Sequence, residues 1–128
     1  MTSPSADRIQ IADMLRVGGN IDRPDPTLTA LDITTVLHYE PYAGQTPPQT
    51  ITVRTVTGTV LQWEFAISAY LTPDLGAELV VERAEDIADA IEALLSVRVG
   101  EFTWRFGWHP DVHLYVAELT CVVGREDF

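Results

Sequence analysis

The sequence predicts an α+β fold: an antiparallel or mixed β-sheet of about five strands, a long amphipathic helix packed on one face, and a short N-terminal helix. Three patterns carry this reading. Leu61, Trp63, Phe65, Ile67, Ala69 and Leu71 alternate with Gln62, Glu64, Ala66, Ser68 and Tyr70. A period of two is that of a strand with one face in a core and the other wetter. Steps of 100° per residue then gather Val80, Ala84, Ile87, Ala88, Ile91, Leu94 and Leu95 within about 120° of arc, the stripe of a helix lying on a sheet. Finally, Phe102, Trp104, Phe106 and Trp108, and after a His109-Pro110-Asp111 turn Tyr115, Ala117, Leu119, Cys121 and Val123, repeat the strand period.

A chain of 128 residues falls within the common size of one domain, so residues 1–128 are expected to form a single unit. The hydrophobic share of 46% is that of a globular protein and argues against global disorder. The single cysteine, Cys121, excludes an internal disulfide and any multi-cysteine zinc site. No run of about 18 apolar residues occurs, and MTSPSADRIQ lacks a basic stretch followed by an apolar one. The expectation is a soluble protein made in the cytoplasm. The charge is lopsided: Asp and Glu total 19 against 8 cations, all arginine, for a net charge of −11. Binding to nucleic acid needs cations that displace condensed counterions, so this balance argues against tight DNA or RNA binding and against an anionic membrane.

Each element follows from local signals. Ser3-Pro4 offers a helix N-cap with proline at the first helical position, and Gly18-Gly19 a stop, so a helix is expected over 4–17. Its apolar residues Ile9, Ile11, Ala12, Met14, Leu15 and Val17 spread around the axis, which calls for cover on more than one side. Residues 18–30 hold two glycines, Pro24 and Pro26, and read as a loop. Ile33–Tyr39 is a β-rich run closed by Pro41, and residues 41–50 form a second long connection carrying three prolines. Thr50–Thr57 is a β-branched strand with a tight turn expected at Thr57-Gly58-Thr59. On the helix that follows the Leu61–Leu71 strand, Glu82, Glu85, Asp86, Asp89 and Glu92 oppose the apolar stripe, and Gly100 provides the stop. The last strand is expected over Val112–Val123, which makes the order α-β-β-β-α-β-β.

Candidate sites are few. His109 and His113 are four apart, but Pro110-Asp111 breaks the helix on which such spacing would bring two imidazoles together, so they read as turn residues. The five helix carboxylates lack a histidine partner anywhere between residues 39 and 108, which argues against a carboxylate-bridged metal centre. They read as a solvated face, or as a surface that repels a polyanion or docks on a partner's arginines. The aromatic row Phe102, Trp104, Phe106, Trp108 has only Arg105 nearby, on the other face, and reads as core packed against Trp63, Phe65 and the helix stripe rather than as a base-stacking platform. Cys121 lies on an apolar strand face and is expected to be buried and inert. Neither a nucleophile elbow nor a glycine-rich phosphate loop occurs, so the expectation is a protein without enzymatic activity or cofactor. The proline-rich connections exceed the usual four to six residues, and long loops on a rigid sheet commonly carry contacts. Pro41, Tyr42, Gln45, Pro47 and Pro48 are the contact-loop candidates.

Read in order, the extended stretch ITTVLHYEPYAGQTPPQT, the strand TVLQWEFAISAYLT, the acidic helix ELVVERAEDIADAIEALL and the closing hairpin FTWRFGWHPDVHLYVAELTCVV, behind a short N-terminal helix, resemble the tail terminator proteins of long-tailed, non-contractile bacteriophages. The likeness is of architecture and texture and spans residues 4–123. It implies a homo-hexameric ring at the head-proximal end of the tail tube that stops tube polymerisation and joins the tail to the head connector, or stopper, protein. The implied partners are other copies of the chain, the tail tube protein, the connector protein and passing double-stranded DNA without specific binding, with no membrane. The implied location is the neck of the virion, after assembly in the host cytoplasm. Another head–tail connector, neck or tail-completion protein, or a small ligand-binding module, remains the alternative.

Size arithmetic is compatible with such a ring. A domain of this length approximates a sphere about 36 Å across, and six in a circle leave a bore of about 36 Å. Four would leave about 15 Å, too narrow for a duplex of roughly 20 Å. An acidic bore would keep DNA from adhering, and the carboxylate face Glu82, Glu85, Asp86, Asp89, Glu92 is the candidate lining or subunit contact.

Overall fold

A computed structural model describes residues 4–41, 45–58, 62–109 and 113–124. Helix α1 spans Pro4–Met14, α2 Pro26–Thr29 and α3 Ala77–Leu95, and the strands are β1 Thr35–Leu37, β2 Thr50–Gly58, β3 Gln62–Leu71, β4 Gly100–His109 and β5 Leu114–Gly124. They form one five-stranded sheet in the order β1-β2-β3-β5-β4. The β1–β2 pair is parallel and every other pair is antiparallel, so the sheet is mixed. The fold is α+β, with α3 packed on the sheet and a short helix at the N-terminus. No helix among the described residues is long and apolar enough to cross a membrane.

The odd-numbered residues of β2, β3 and β5 supply most of the sheet's half of the core. Ile51 and Val53 of β2, Phe65, Ile67, Ala69 and Leu71 of β3, and Ala117, Leu119, Cys121 and Val123 of β5 are buried together with Val80, Ala84, Ile87, Ala88, Ile91 and Leu95 of α3. The helical period and the strand period thus meet at one interface, and Leu94, at the edge of the stripe, is partly buried. Gly58 pairs with Trp63 across the β2–β3 ladder, and a Cβ at Gly58 would run into the indole ring; the strand can close on Trp63 only because this position has no side chain.

Four expectations need correction. The first helix ends at Met14, three residues short of 17: Leu15 N–H donates to Ala12 O, and Arg16 leaves the helix to bridge with Pro24. Within the single chain Ile11, Ala12 and Leu15 are buried while Ile9 and Val17 stay exposed. The stretch 18–30 contains α2, where Asp25 Oδ1 accepts from Thr27 N–H and Pro26 takes the first turn. The strand expected over Ile33–Tyr39 is the three-residue β1. The second face of β3 is not wet: Ala66, Ser68 and Tyr70 are buried, as are Thr50 and Thr52 beside them on β2. Ser3, Tyr42, Thr59, Leu61, Pro110, Asp111 and Val112 lie outside the described residues.

One buried charge stands in α1. Asp7 is fully buried with neither carboxylate oxygen bonded to a described residue. It occupies the first turn, where the aligned peptide dipoles favour an anion.

Candidate functional site

Three surfaces carry the chemistry that the core does not use. The first is the outer side of α3. Glu82, Glu85, Asp86 and Asp89 are exposed and Glu92 is half-buried, and none forms an ion pair with a described residue. Their spacing aligns them along about 15 Å of helix. Arg83, from the flank of the same helix, turns aside to Asp32 at 2.6 Å. The carboxylates stay solvated, and their mutual repulsion remains available to act on an outside charge.

The second surface is the contact loop and the sheet face beneath it. After β1 the chain brings Glu40 over the second sheet face. Tyr70 donates its hydroxyl hydrogen to Glu40 Oε1, and Arg54 Nε lies 3.3 Å from Glu40 Oε2. Arg54 Nη2 also reaches Glu118 Oε2 at 3.0 Å, and Ser68 Oγ donates to that oxygen at 3.3 Å. One guanidinium is held between two carboxylates, the buried Tyr70 donates to the other oxygen of Glu40, and the buried Ser68 shares Glu118 Oε2 with Arg54. Burial, and after it the bond to Glu40, pushes the Tyr70 hydroxyl well above its ordinary pKa. Beside this network an open cleft of about 640 Å³ is lined by Leu37, Tyr39, Glu40, Pro41, Gln45 and Pro47. The structure thus brings Pro41, Gln45 and Pro47 to one cleft; Pro48 is exposed next to them, its carbonyl accepting from Thr50 Oγ1 at 3.4 Å. Sequence reasoning missed Glu40, Arg54, Tyr70 and Glu118, because the partners lie 14 to 64 residues apart and no local spacing announces them.

The third surface is β4. Phe102 and Trp104 pack partly against the core, but Phe106 is 38% exposed and Trp108 51%. The aromatic row is therefore core at one end only, on a strand that forms the edge of the sheet. Trp108 stacks edge-on against Tyr115 at 5.1 Å and Trp104 against Phe106 at 5.9 Å. Arg105 stands on the opposite face of the strand and has no bond to a described residue.

His113 N–H donates to His109 O at 3.0 Å, so this pair braces the β4–β5 connection. No group of three or more His, Cys, Asp or Glu side chains comes together among the described residues. Cys121 is buried, and burial followed by the Glu64 charge pushes its thiol up to about 12, which keeps it protonated and unreactive. Compared with protein-family models, curated proteins and solved structures, the chain matches none of them.

Proposed function

We propose that this chain is a structural virion protein of the tail-terminator kind: it forms a ring at the head-proximal end of a phage tail tube, stops tube growth and joins the tail to the head connector while DNA passes through. The observation that carries the reading is the unpaired carboxylate row Glu82, Glu85, Asp86, Asp89 on an exposed helix face of an α+β subunit. Turned towards a bore, such a row repels the phosphate backbone and lets DNA move without adhering. The proline-rich loop around Pro41, Gln45, Pro47 and Pro48 supplies contact surface for neighbouring subunits. In this reading the chain has no catalytic role and needs no cofactor. A neighbouring connector or tail-completion protein would use the same features, and partner choice alone separates it from a terminator. The cleft at Tyr39, Pro41 and Pro47 favours a second reading, a module that binds a small apolar ligand.

Negative-stain imaging of the purified chain, alone and mixed with tail tubes, tests the proposal. Rings, or a subunit that becomes a ring on tube ends, are the expected result. A chain that ignores tube ends but binds a metabolite would overturn it in favour of the module.

A further inference from the structure

The two edges of the sheet are treated differently. At β1 the outward groups of Val36 are both occupied: its N–H donates to Ile21 O at 3.0 Å, and its carbonyl accepts from Arg16 Nη1 at 2.9 Å. β1 itself is closed, although it covers only Thr50–Thr52 of β2. At β4 the backbone of residues 101–108 has no hydrogen bond to any described residue outside β5. An open edge of this length is a template for another strand unless the chain blunts it with proline, lysine or a bulge. The first part of β4 is blunted: the register slips between Gly100 and Thr103, and Glu101 takes a φ of 59°. From Thr103 to His109 the strand is regular, with neither lysine nor proline.

We infer that this regular segment, Thr103–His109, pairs antiparallel with the same segment of a second copy, so that two sheets join across β4. The occupant follows from three features of the segment. Two copies at −11 each repel, and they can approach only where carboxylates are absent; residues 103–109 contain none and carry Arg105. A partner strand must come from an unsatisfied edge, and among the described residues β4 offers the longest regular one: β1 is capped, and β2, which β1 covers only at Thr50–Thr52, slips its register between Thr55 and Thr57. The register that overlaps all seven residues puts Phe106 on the two-fold axis. Trp104 then stands opposite Trp108 of the second copy, and Arg105 opposite Gly107, where there is room for the guanidinium and no like charge. Cross-strand aromatic pairs are favourable, and this register aligns the exposed Phe106 and Trp108 with aromatic partners. The contact covers on the order of 1,000 Å² in total, where specific interfaces begin.

A two-fold contact closes on itself and cannot by repetition build a ring. It is therefore an interface beyond the one an annulus needs, and it stands or falls separately from the tail reading. The test uses the full chain and an engineered thiol, since the natural Cys121 is buried. In an antiparallel pair, directly opposed Cα atoms lie about 4.5–5.5 Å apart, within disulfide range. Phe106→Cys is expected to form a covalent dimer under mild oxidation. Arg105→Cys is expected to stay monomeric, because residues two places out of register are more than about 7 Å apart. Sedimentation of the wild-type chain over a dilution series is expected to show twice 14.2 kDa, or a larger multiple in which Phe106→Cys still cross-links. Trp108→Lys is expected to shift the wild-type equilibrium towards monomer with unchanged circular dichroism. A wild-type chain that stays at 14.2 kDa throughout, equal cross-linking of the two cysteine variants, or a larger assembly in which Phe106→Cys does not cross-link overturns the inference. Imaging on tail tubes reads the ring independently of all these outcomes.

Discussion

The side-chain amide of Gln49 donates to the backbone carbonyl of Asp32 at 3.1 Å, and both residues lie in the left-handed region, at φ 61° and 68°. Gln49 also accepts from Thr72 N–H through Oε1 at 3.1 Å, donates its own N–H to Tyr70 O at 2.7 Å and accepts Thr34 N–H on its carbonyl at 2.9 Å. One residue thereby ties the entry to β1, the entry to β2 and the exit of β3. Through Asp32, which holds Arg83, the tie extends to α3. The parallel β1–β2 pair is short, and this knot sets its register.

Gln49→Ala removes two side-chain hydrogen bonds and keeps the unfavourable backbone. The expected loss is about 1–2 kcal/mol in denaturant unfolding, at the modest end for partly exposed bonds. Gln49→Gly loses the same bonds but enters the left-handed region freely, which recovers up to about 1 kcal/mol. An alanine variant as stable as the wild type would mean that the knot is decoration.

Ile87→Asp and Ile91→Asp test the orientation of α3. Both side chains are fully buried, and a carboxylate there would enter the apolar core shared with β3 and β5 without a partner. Losses above about 4 kcal/mol are expected, a large part of the roughly 5–15 kcal/mol that holds a domain folded, so melting at a much lower temperature or outright unfolding is the expected readout. Native circular dichroism and melting in either variant would mean that the helix lies on another face.

Much of this architecture is legible in the chain itself, and the parts that are not share a physical cause. The α3 stripe and the β3 alternation are local periods, so Val80 through Leu95 and Phe65 through Leu71 can be read directly. The hydroxyls of the buried Tyr70 and Ser68 are satisfied by Glu40 and Glu118, which arrive from other parts of the chain, and alternation cannot foresee it. Phe106 and Trp108 look like core in one dimension; only the strand order, with β4 outermost, exposes them. The Asp25-Pro26 cap was readable in principle, but a stretch rich in glycine and proline masks a helix of four residues. Tyr42 apart, the contact-loop candidates gather near one cleft, whereas the ion pairs beside it have no sequence signature.

The Glu40–Tyr70 bond and the Arg54 ion pair are expected to be coupled. Tyr70→Phe leaves a buried ring without its hydroxyl and frees Glu40; Glu40→Gln keeps the shape but cancels the charge that Arg54 faces. In a double-mutant cycle the interaction between these two changes is expected at about 0.5–1.5 kcal/mol, limited because Arg54 and Glu40 are each about one-third exposed. Ultraviolet titration gives a second readout: the Tyr70 hydroxyl should resist ionisation at alkaline pH in the wild type and ionise more readily in Glu40→Gln. Strict additivity together with unchanged titration would separate the two contacts.

His38 gives the fold a sensitivity to mild acid. Burial, reinforced by the positive charges of Arg16 and Arg8 and only partly opposed by Asp13, holds its imidazole below the ordinary value of 6.5. As the pH falls through 6.5, the unfolded chain binds a proton at this residue before the folded chain does, so the equilibrium moves towards unfolding. The contribution is fully present above 6.5 and is lost progressively below it. His38→Gln cannot titrate, and between pH 7.5 and 5.5 its stability is expected to fall less steeply than that of the wild type. The comparison between the two chains isolates His38, because every other titratable group is common to both. Parallel stability curves for the wild type and His38→Gln over that interval would show that His38 takes up its proton as easily in the fold as out of it.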